Sequence, residues 1–251
     1  MREELHIFVS DVHLGINDDT AEVRESRFLD FLKKLPEETT GLYLLGDIFD
    51  FWVEYRDVVP RSLVRVLGEL AALSDRGVKI SFFCGNHDYW LTDYLREEIG
   101  MEVIYEPLIV REVAGKRLCM GHGDGLGNTN PFSKLLFSAI RNKWLIRLLK
   151  LFHPWLIFRW ARKWSSASRN SCKRNNYSFK GKDSNLYRYL CKYGEGKDID
   201  YYIFGHVHSQ MEIDVESGGT LYLLGDWSEA ASSLNLSGTY IGFGACPNIS
   251  K

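Results

Sequence analysis

The chain has 251 residues, 45% of them hydrophobic and 25% charged, with a formal net charge of −2. These are soluble globular values, and they exclude a disordered, collagenous or disulfide-stapled chain. The five cysteines (Cys84, Cys119, Cys172, Cys191 and Cys246) are odd in number with none at C-x-x-C spacing, which argues against a structural zinc site and for a reducing compartment.

In chain order, strands and helices alternate at first. LHIFV (Leu5–Val9), GLYLL (Gly41–Leu45) and VKISFF (Val78–Phe83) are short, apolar and β-rich, which predicts three strands. Between the first two, Val23, Phe28, Phe31, Leu32 and Leu35 fall near helical spacing, which predicts a helix with one apolar face. Between the second and third, Leu63, Val66, Leu67, Leu70 and Leu73 do the same, and Gly77 supplies the stop. This is a parallel βαβαβ start. Further on, LIVREV, KRLCMGH, DYYIFGH, QMEIDVE and TLYLLGD predict strands with short connections, and one helix is expected over Leu186–Tyr193. The expected class is α/β, with two mixed sheets packed face to face and helices outside.

One stretch interrupts the pattern. From Gly125 to Lys182 there is no Asp or Glu against thirteen Lys and Arg, so the rest of the chain carries −15. A single-sign block of this length points to an anionic partner. Within it, WLIRLLKLFHPWLIFRWARKW (Trp144–Trp164) holds four of the seven tryptophans. Arg147, Lys150 and Arg159 interrupt this run and Pro154 breaks it, so it is no membrane span. Two helices around a His153-Pro154 turn are expected. Their interleaved basic and apolar residues suit a surface lying on a membrane or closing over a lipid. They suit equally a helical subdomain with a solvated basic face and buried aromatics. The layout is a core of residues 1–124 and 183–251, interrupted by a basic, aromatic insertion at 125–182. The first residues, MREELHIFVS, hold no signal-peptide apolar core, so the cytoplasm is the expected location.

The chemistry lies just past the strands. Five of them end in Asp11-Val12-His13, Gly46-Asp47, Gly85-Asn86-His87-Asp88, Gly121-His122-Gly123-Asp124 and Gly205-His206-Val207-His208. Carboxyl ends of strands in an α/β sheet lie along one edge, where ligands bind, so these side chains should converge. Five of the seven histidines are among them. The H-x-H pair, taken as strand, would put both rings on one face. Carboxylates, imidazoles and one amide oxygen, with no thiolate, suit Mn²⁺, Fe or Zn. Seven ligands are too many for one ion and fit two sharing a carboxylate, the arrangement that drives phosphoryl displacement. Asp50, Asp88 and Asp124 follow these motifs and either orient imidazoles or bond the backbone of their loops.

The motif order from Asp11 to His208 resembles the calcineurin-like metallophosphoesterases. The resemblance implies a four-layer α-β-β-α sandwich. It also implies one ion held by Asp11, His13, Asp47 and His208 and a second held by Asp47, Asn86, His122 and His206, with Asp47 bridging. Within that superfamily, SDVHLG, LYLLGDIFDFW, FFCGNHDYW and MGHGDGL are similar to the UDP-2,3-diacylglucosamine hydrolase family of lipid A biosynthesis, which inserts a helical cap after its G-H-G-D motif. That family's Ser-x-x-x-Asn-x-x-Lys pattern is met by Ser166, Asn170 and Lys173, which the resemblance implies contact glucosamine and phosphates. Asn86, His87, Asn130 and His206 complete the implied substrate contacts. Positions i, i+4 and i+7 share a helix face, which agrees. The chain departs from proteobacterial members at His87, where they have Arg, and at Asn130, where they have Asp. Ser209-Gln210 also stands where Arg-Pro is common.

The expected function is hydrolysis of UDP-2,3-diacylglucosamine to UMP and 2,3-diacylglucosamine 1-phosphate, with two divalent ions of the Mn²⁺ type. His87 is expected to stabilise phosphoryl charge or act as general acid. Peripheral contact with the cytoplasmic face of the inner membrane is expected through the insertion. The same metal set would serve another nucleotide or phospholipid ester. Interleaved Trp and Arg can also stack bases, but the run Leu145, Ile146, Leu148, Leu149, Leu151 and Phe152 is too apolar for that, and no nucleic-acid partner is expected.

Overall fold

The computed structural model describes residues 4–16, 20–55, 58–60, 63–128, 130–131, 135, 138–139, 141–161, 163, 181–228, 231–238 and 240–244. Strands β1 (Leu5–Val9), β2 (Thr39–Leu45), β3 (Lys79–Phe83) and β4 (Glu102–Ile104) pair in parallel. A second sheet is built from β5 (Ile109–Val113), β6 (Lys116–Gly121), β7 (Tyr201–Phe204), β8 (Met211–Asp214) and β9 (Thr220–Leu223), ordered β5-β6-β7-β9-β8. The chain then returns to the first sheet with β10 (Ser233–Ser237) and β11 (Tyr240–Gly244), giving β11-β10-β1-β2-β3-β4.

Period-2 alternation sorts each strand between two cores. Phe8, Tyr43, Leu45 and Phe83 meet Leu118, Met120, Ile203 and Tyr222 between the sheets. Ile7, Val9, Leu42, Leu44, Ile80 and Phe82 face outward onto helices α1 (Ala21–Lys33) and α2 (Val64–Asp75). A single turn, α3 (Tyr94–Glu97), precedes β4. In the insertion lies α4 (Lys143–Leu149). Helix α5 (Asn185–Gly194) covers the second sheet through Leu186 and Leu190 against Cys119, Tyr202 and Phe204. The result is the expected α-β-β-α sandwich of two mixed sheets.

Three expectations need correction. Strands β4, β10 and β11 add to those expected from the sequence. Val23 is 58% exposed, because the inward slot of the first turn of α1 is taken by Arg24. The Arg24 guanidinium bonds the Thr20 hydroxyl at 3.1 Å and the Val12 carbonyl at 3.5 Å. Pro154 opens a helix (residues 154–161) rather than merely breaking one. Its fixed φ and missing N–H suit a first helical position, and His153 Nδ1 accepts the Trp155 amide at 3.2 Å.

The insertion is partly core and partly surface. Ile146 and Ile157 pack with Val53 and Trp90, beside Phe51, Leu149 and Phe158. Asn142 caps α4 by accepting the Trp144 and Leu145 amides. Trp144, Leu148, Leu151, Phe152, Trp155, Leu156 and Trp160 are exposed, Trp144 at 76% and Leu151 at 80%. Among the described residues, no helix is long and apolar enough to cross a membrane.

Candidate metal centre

The strand-end loops converge as expected. Asp11, His13 and His208 bring one ligand atom each within 4.8 Å of one another; so do Asp47, His122 and His206, and so do His13, Asp47 and His87. Asp47 is common to the last two groups, and His13 joins the first to the third. The His13 ring stacks on His208 at 5.2 Å and meets His87 edge-on at 5.0 Å, while His122 and His206 lie 5.1 Å apart.

Each central carboxylate is fixed by one oxygen and presents the other. Asp11 Oδ2 accepts the His206 amide at 2.9 Å, and Asp47 Oδ1 accepts the His87 amide at 2.9 Å. A Cβ on Gly205 would lie 2.6 Å from the Asp11 carboxylate, and one on Gly85 would fall onto the Asp47 side chain. The glycines before His206 and Asn86 therefore let each backbone close on its carboxylate. The opposite oxygens face imidazoles: Asp11 Oδ1 is 3.4 Å from His208 Nε2, and Asp47 Oδ2 is 3.3 Å from His122 Nε2.

The imidazoles are oriented from behind. His122 Nδ1 lies 2.9 Å from the Leu45 carbonyl, which can only accept, so Nδ1 carries the proton and the Nε2 lone pair faces Asp47. His208 Nδ1 is likewise 3.4 Å from Asp226. An imidazole nitrogen facing a carboxylate oxygen needs a cation between them, a proton in the metal-free fold or a metal ion. Asp11 Oδ1, both His13 nitrogens, Asn86 Oδ1 and His122 Nε2 are buried with no hydrogen-bond partner. Buried polar atoms are rarely left so, and this donor set fits divalent metal ions.

The electrostatics agree. Burial works against the ionised Asp47, but His122 and His87 outweigh it and hold the carboxyl well below its usual range. Burial also works against a charged His122, yet Asp47 raises its pKa well above 6.5. His208 is raised too, by Asp226 and Asp11 against burial. Burial lowers His13 and His206.

The local backbone is unusual. Asp11, His13, Asp47, His206 and His208 all have φ between 51° and 67°, the left-handed region that costs a non-glycine residue about 1–2 kcal/mol. The H-x-H pair is thus not on a strand. Both rings lie beyond β7 in left-handed turns, His206 beside His122 and His208 beside Asp11.

Of the three acidic followers, Asp88 bonds backbone, accepting the amides of Gly85, Ile48 and Phe49. Asp50 lies 3.7 Å from His13 Nδ1 and 3.8 Å from His87 Nδ1, and its carbonyl lies 3.0 Å from His87 Nδ1. Asp124 pairs with Arg141 of the insertion. Asn130 is exposed in the loop entering the insertion, where its amide donates to Asn128. Ser166, Asn170 and Lys173 lie outside the described residues. Asp226 was not legible as part of the centre: it follows a strand and a glycine as Asp47 does, but no histidine accompanies it in its loop.

Residues 7–210 match the calcineurin-like phosphoesterase family. A UDP-2,3-diacylglucosamine hydrolase from Porphyromonas gingivalis is 33% identical over 253 residues, covering 90% of this chain and 91% of its own. Another from Haemophilus influenzae is 25% identical over 228 residues, covering 90% and 92%. The solved dimetal phosphatase from Danio rerio is similar at 13% identity and a TM-score of 0.49, over 96% of this chain and 95% of its own.

Proposed function

The chain belongs to the calcineurin-like phosphoesterase family, and from that premise we propose that it hydrolyses UDP-2,3-diacylglucosamine at the α-phosphorus, in lipid A biosynthesis. It is a metal-dependent hydrolase. Asp11, His13, Asp47 and His208 hold one ion, and Asp47, Asn86, His122 and His206 hold the other. The mix of oxygen and nitrogen donors suits Mn²⁺. Bound there, two divalent ions supply an acidified water and neutralise phosphoryl charge. The observation that carries the reading is that Asp11, His13 and His208 form one group of ligand atoms and Asp47, His122 and His206 another, with Asp47 and His13 brought together in a third.

The chain's own groups account for the rest. Water adds its hydroxyl to the α-phosphorus, and the bond to the bridging oxygen breaks. UMP leaves with one phosphate and 2,3-diacylglucosamine 1-phosphate with the other. The Asp50 carbonyl can only accept, so His87 Nδ1 carries a proton into that bond, and the further proton that the doubly protonated ring can give up sits on Nε2. From there it donates to a phosphoryl oxygen or to the departing group. Ser166, Asn170, Lys173 and Asn130, with Asn86, His87 and His206, hold the glucosamine diphosphate. Residues 125–182 act as a cap on the core of 1–124 and 183–251, and the enzyme works in the cytoplasm, peripherally on the inner membrane.

The test is incubation of purified protein with Mn²⁺ and UDP-2,3-diacylglucosamine. UMP is the expected product. Hydrolysis of a small aryl phosphodiester without any UMP from the lipid would overturn the substrate and favour another nucleotide or phospholipid ester.

A further inference from the structure

The insertion carries no acidic residue between Gly125 and Lys182, so the carboxylates that its cations pair with belong to the core. Among the described residues, Arg141 makes the shortest of these pairings. Its Nη2 lies 2.5 Å from Asp124 Oδ2, and the Asp124 side chain is only 2% exposed. The same guanidinium sits 5.1 Å from the centre of the Tyr89 ring. Asp124 is two residues past His122, and Tyr89 is two past His87. Arg141 also immediately precedes Asn142, the cap of α4. One side chain thus ties the loops after β3 and β6 to the start of the cap helix.

We infer that Arg141 is a positioning residue: it fixes the stance of the cap over the metal centre and thereby the binding of a substrate that must reach both. The apolar contact of Ile146 and Ile157 with Trp90 and Val53 is a second point of attachment, and two points fix an orientation that one would leave free to swing. An arginine suits the role because its planar fork can pair with a carboxylate while its face lies on an aromatic ring; lysine keeps the charge and loses the face. Asp124 has its own need for the partner, since a buried carboxylate without a counter-charge is costly.

The substrate part of this inference rests on the lipid hydrolase reading, and the experiment separates the two. Arg141→Gln, Arg141→Lys and Asp124→Asn would be compared with wild type by deuterium exchange over residues 142–161, by metal content, and by kinetics on UDP-2,3-diacylglucosamine and on a small aryl phosphodiester. In Arg141→Gln, loss of a charged hydrogen bond should speed exchange over 142–161 and raise KM for the lipid by about tenfold or more. Its metal content, kcat and small-diester rate should stay near wild type. Arg141→Lys should fall between, and Asp124→Asn should match Arg141→Gln. Unchanged exchange and KM would overturn the inference. So would equal losses on both substrates with metal loss, which would make Arg141 a support of the ligand loops. If Arg141→Gln does not fold, Arg141→Lys and Asp124→Asn carry the same comparison. If wild type yields no UMP, the lipid reading fails, while the exchange data still decide whether Arg141 holds the cap.

Discussion

His122 donates its Nδ1 proton to the Leu45 carbonyl and turns Nε2 on Asp47; Asp11, Asp47 and His208 are likewise held by one atom so as to offer another. Asp47 is the least replaceable on the proposed assignment, because it alone is given to both ions. Asp47→Ala should lose bound metal and abolish turnover, read by elemental analysis and product release. A variant that kept two ions at near-native rate would contradict the bridge. The raised pKa values of His122 and His208 give a second expectation. Their folded values exceed 6.5, so in the metal-free fold their protonation stabilises below the unfolded value and that contribution is lost as pH rises. Metal must displace these protons. Uptake at neutral pH should therefore release protons, and affinity should fall as pH is lowered, measured by titration calorimetry in buffers of different ionisation enthalpy. A pH-independent affinity would refute this. The candidate ligands were legible because each sits in a short motif after a strand; Asp226 and Arg141 were not, because their partners, His208 and Asp124, come from other parts of the chain.

At the level of elements, β1 to β3 and the two helices between them follow from local pattern alone. The misses have local causes as well. Strand β10 reads SLNLS, with only Leu234 and Leu236 facing the second sheet and a buried Asn235 between them, so its pattern is weak. Strand β4 is three residues long. The cap was read as two helices, and α4 and residues 154–161 are helical. Which of its apolar residues are covered depends on where Trp90 and Val53 lie, which no local pattern encodes. If Ser166, Asn170 and Lys173 hold the glucosamine diphosphate, Asn170→Ala and Lys173→Ala should each slow lipid hydrolysis by about tenfold or more, the worth of a charged hydrogen bond. They should scarcely change hydrolysis of a small phosphodiester. Equal losses on both substrates would assign these residues to the fold.

Across the whole molecule, charge is divided by segment, with thirteen Lys and Arg and no acid between Gly125 and Lys182 and −15 in the rest of the chain. Arg147 lies over Trp144 and Arg159 over Trp155, so cations and exposed aromatics stand together, as a membrane-surface helix requires. The protein should sediment with anionic vesicles at low salt and less at high salt, since each basic residue near such a surface contributes about 1 kcal/mol that salt screens. Trp155→Ala and Arg159→Ala should weaken the association. Wild type that stays in the supernatant while hydrolysing dispersed lipid would limit the cap to substrate capture. The sheet order also bears on how the protein is made. Strand β1 pairs with β2 on one side and with β10 on the other, Leu5 lying opposite Ser237. Asp11 likewise waits for His208. While the chain emerges from the ribosome, β1 has one open edge, a liability for mispairing, and half of a metal site. A chain stalled before residue 206 would thus lack both the strand that closes the far edge of β1 and the two histidines that complete the proposed ligand sets.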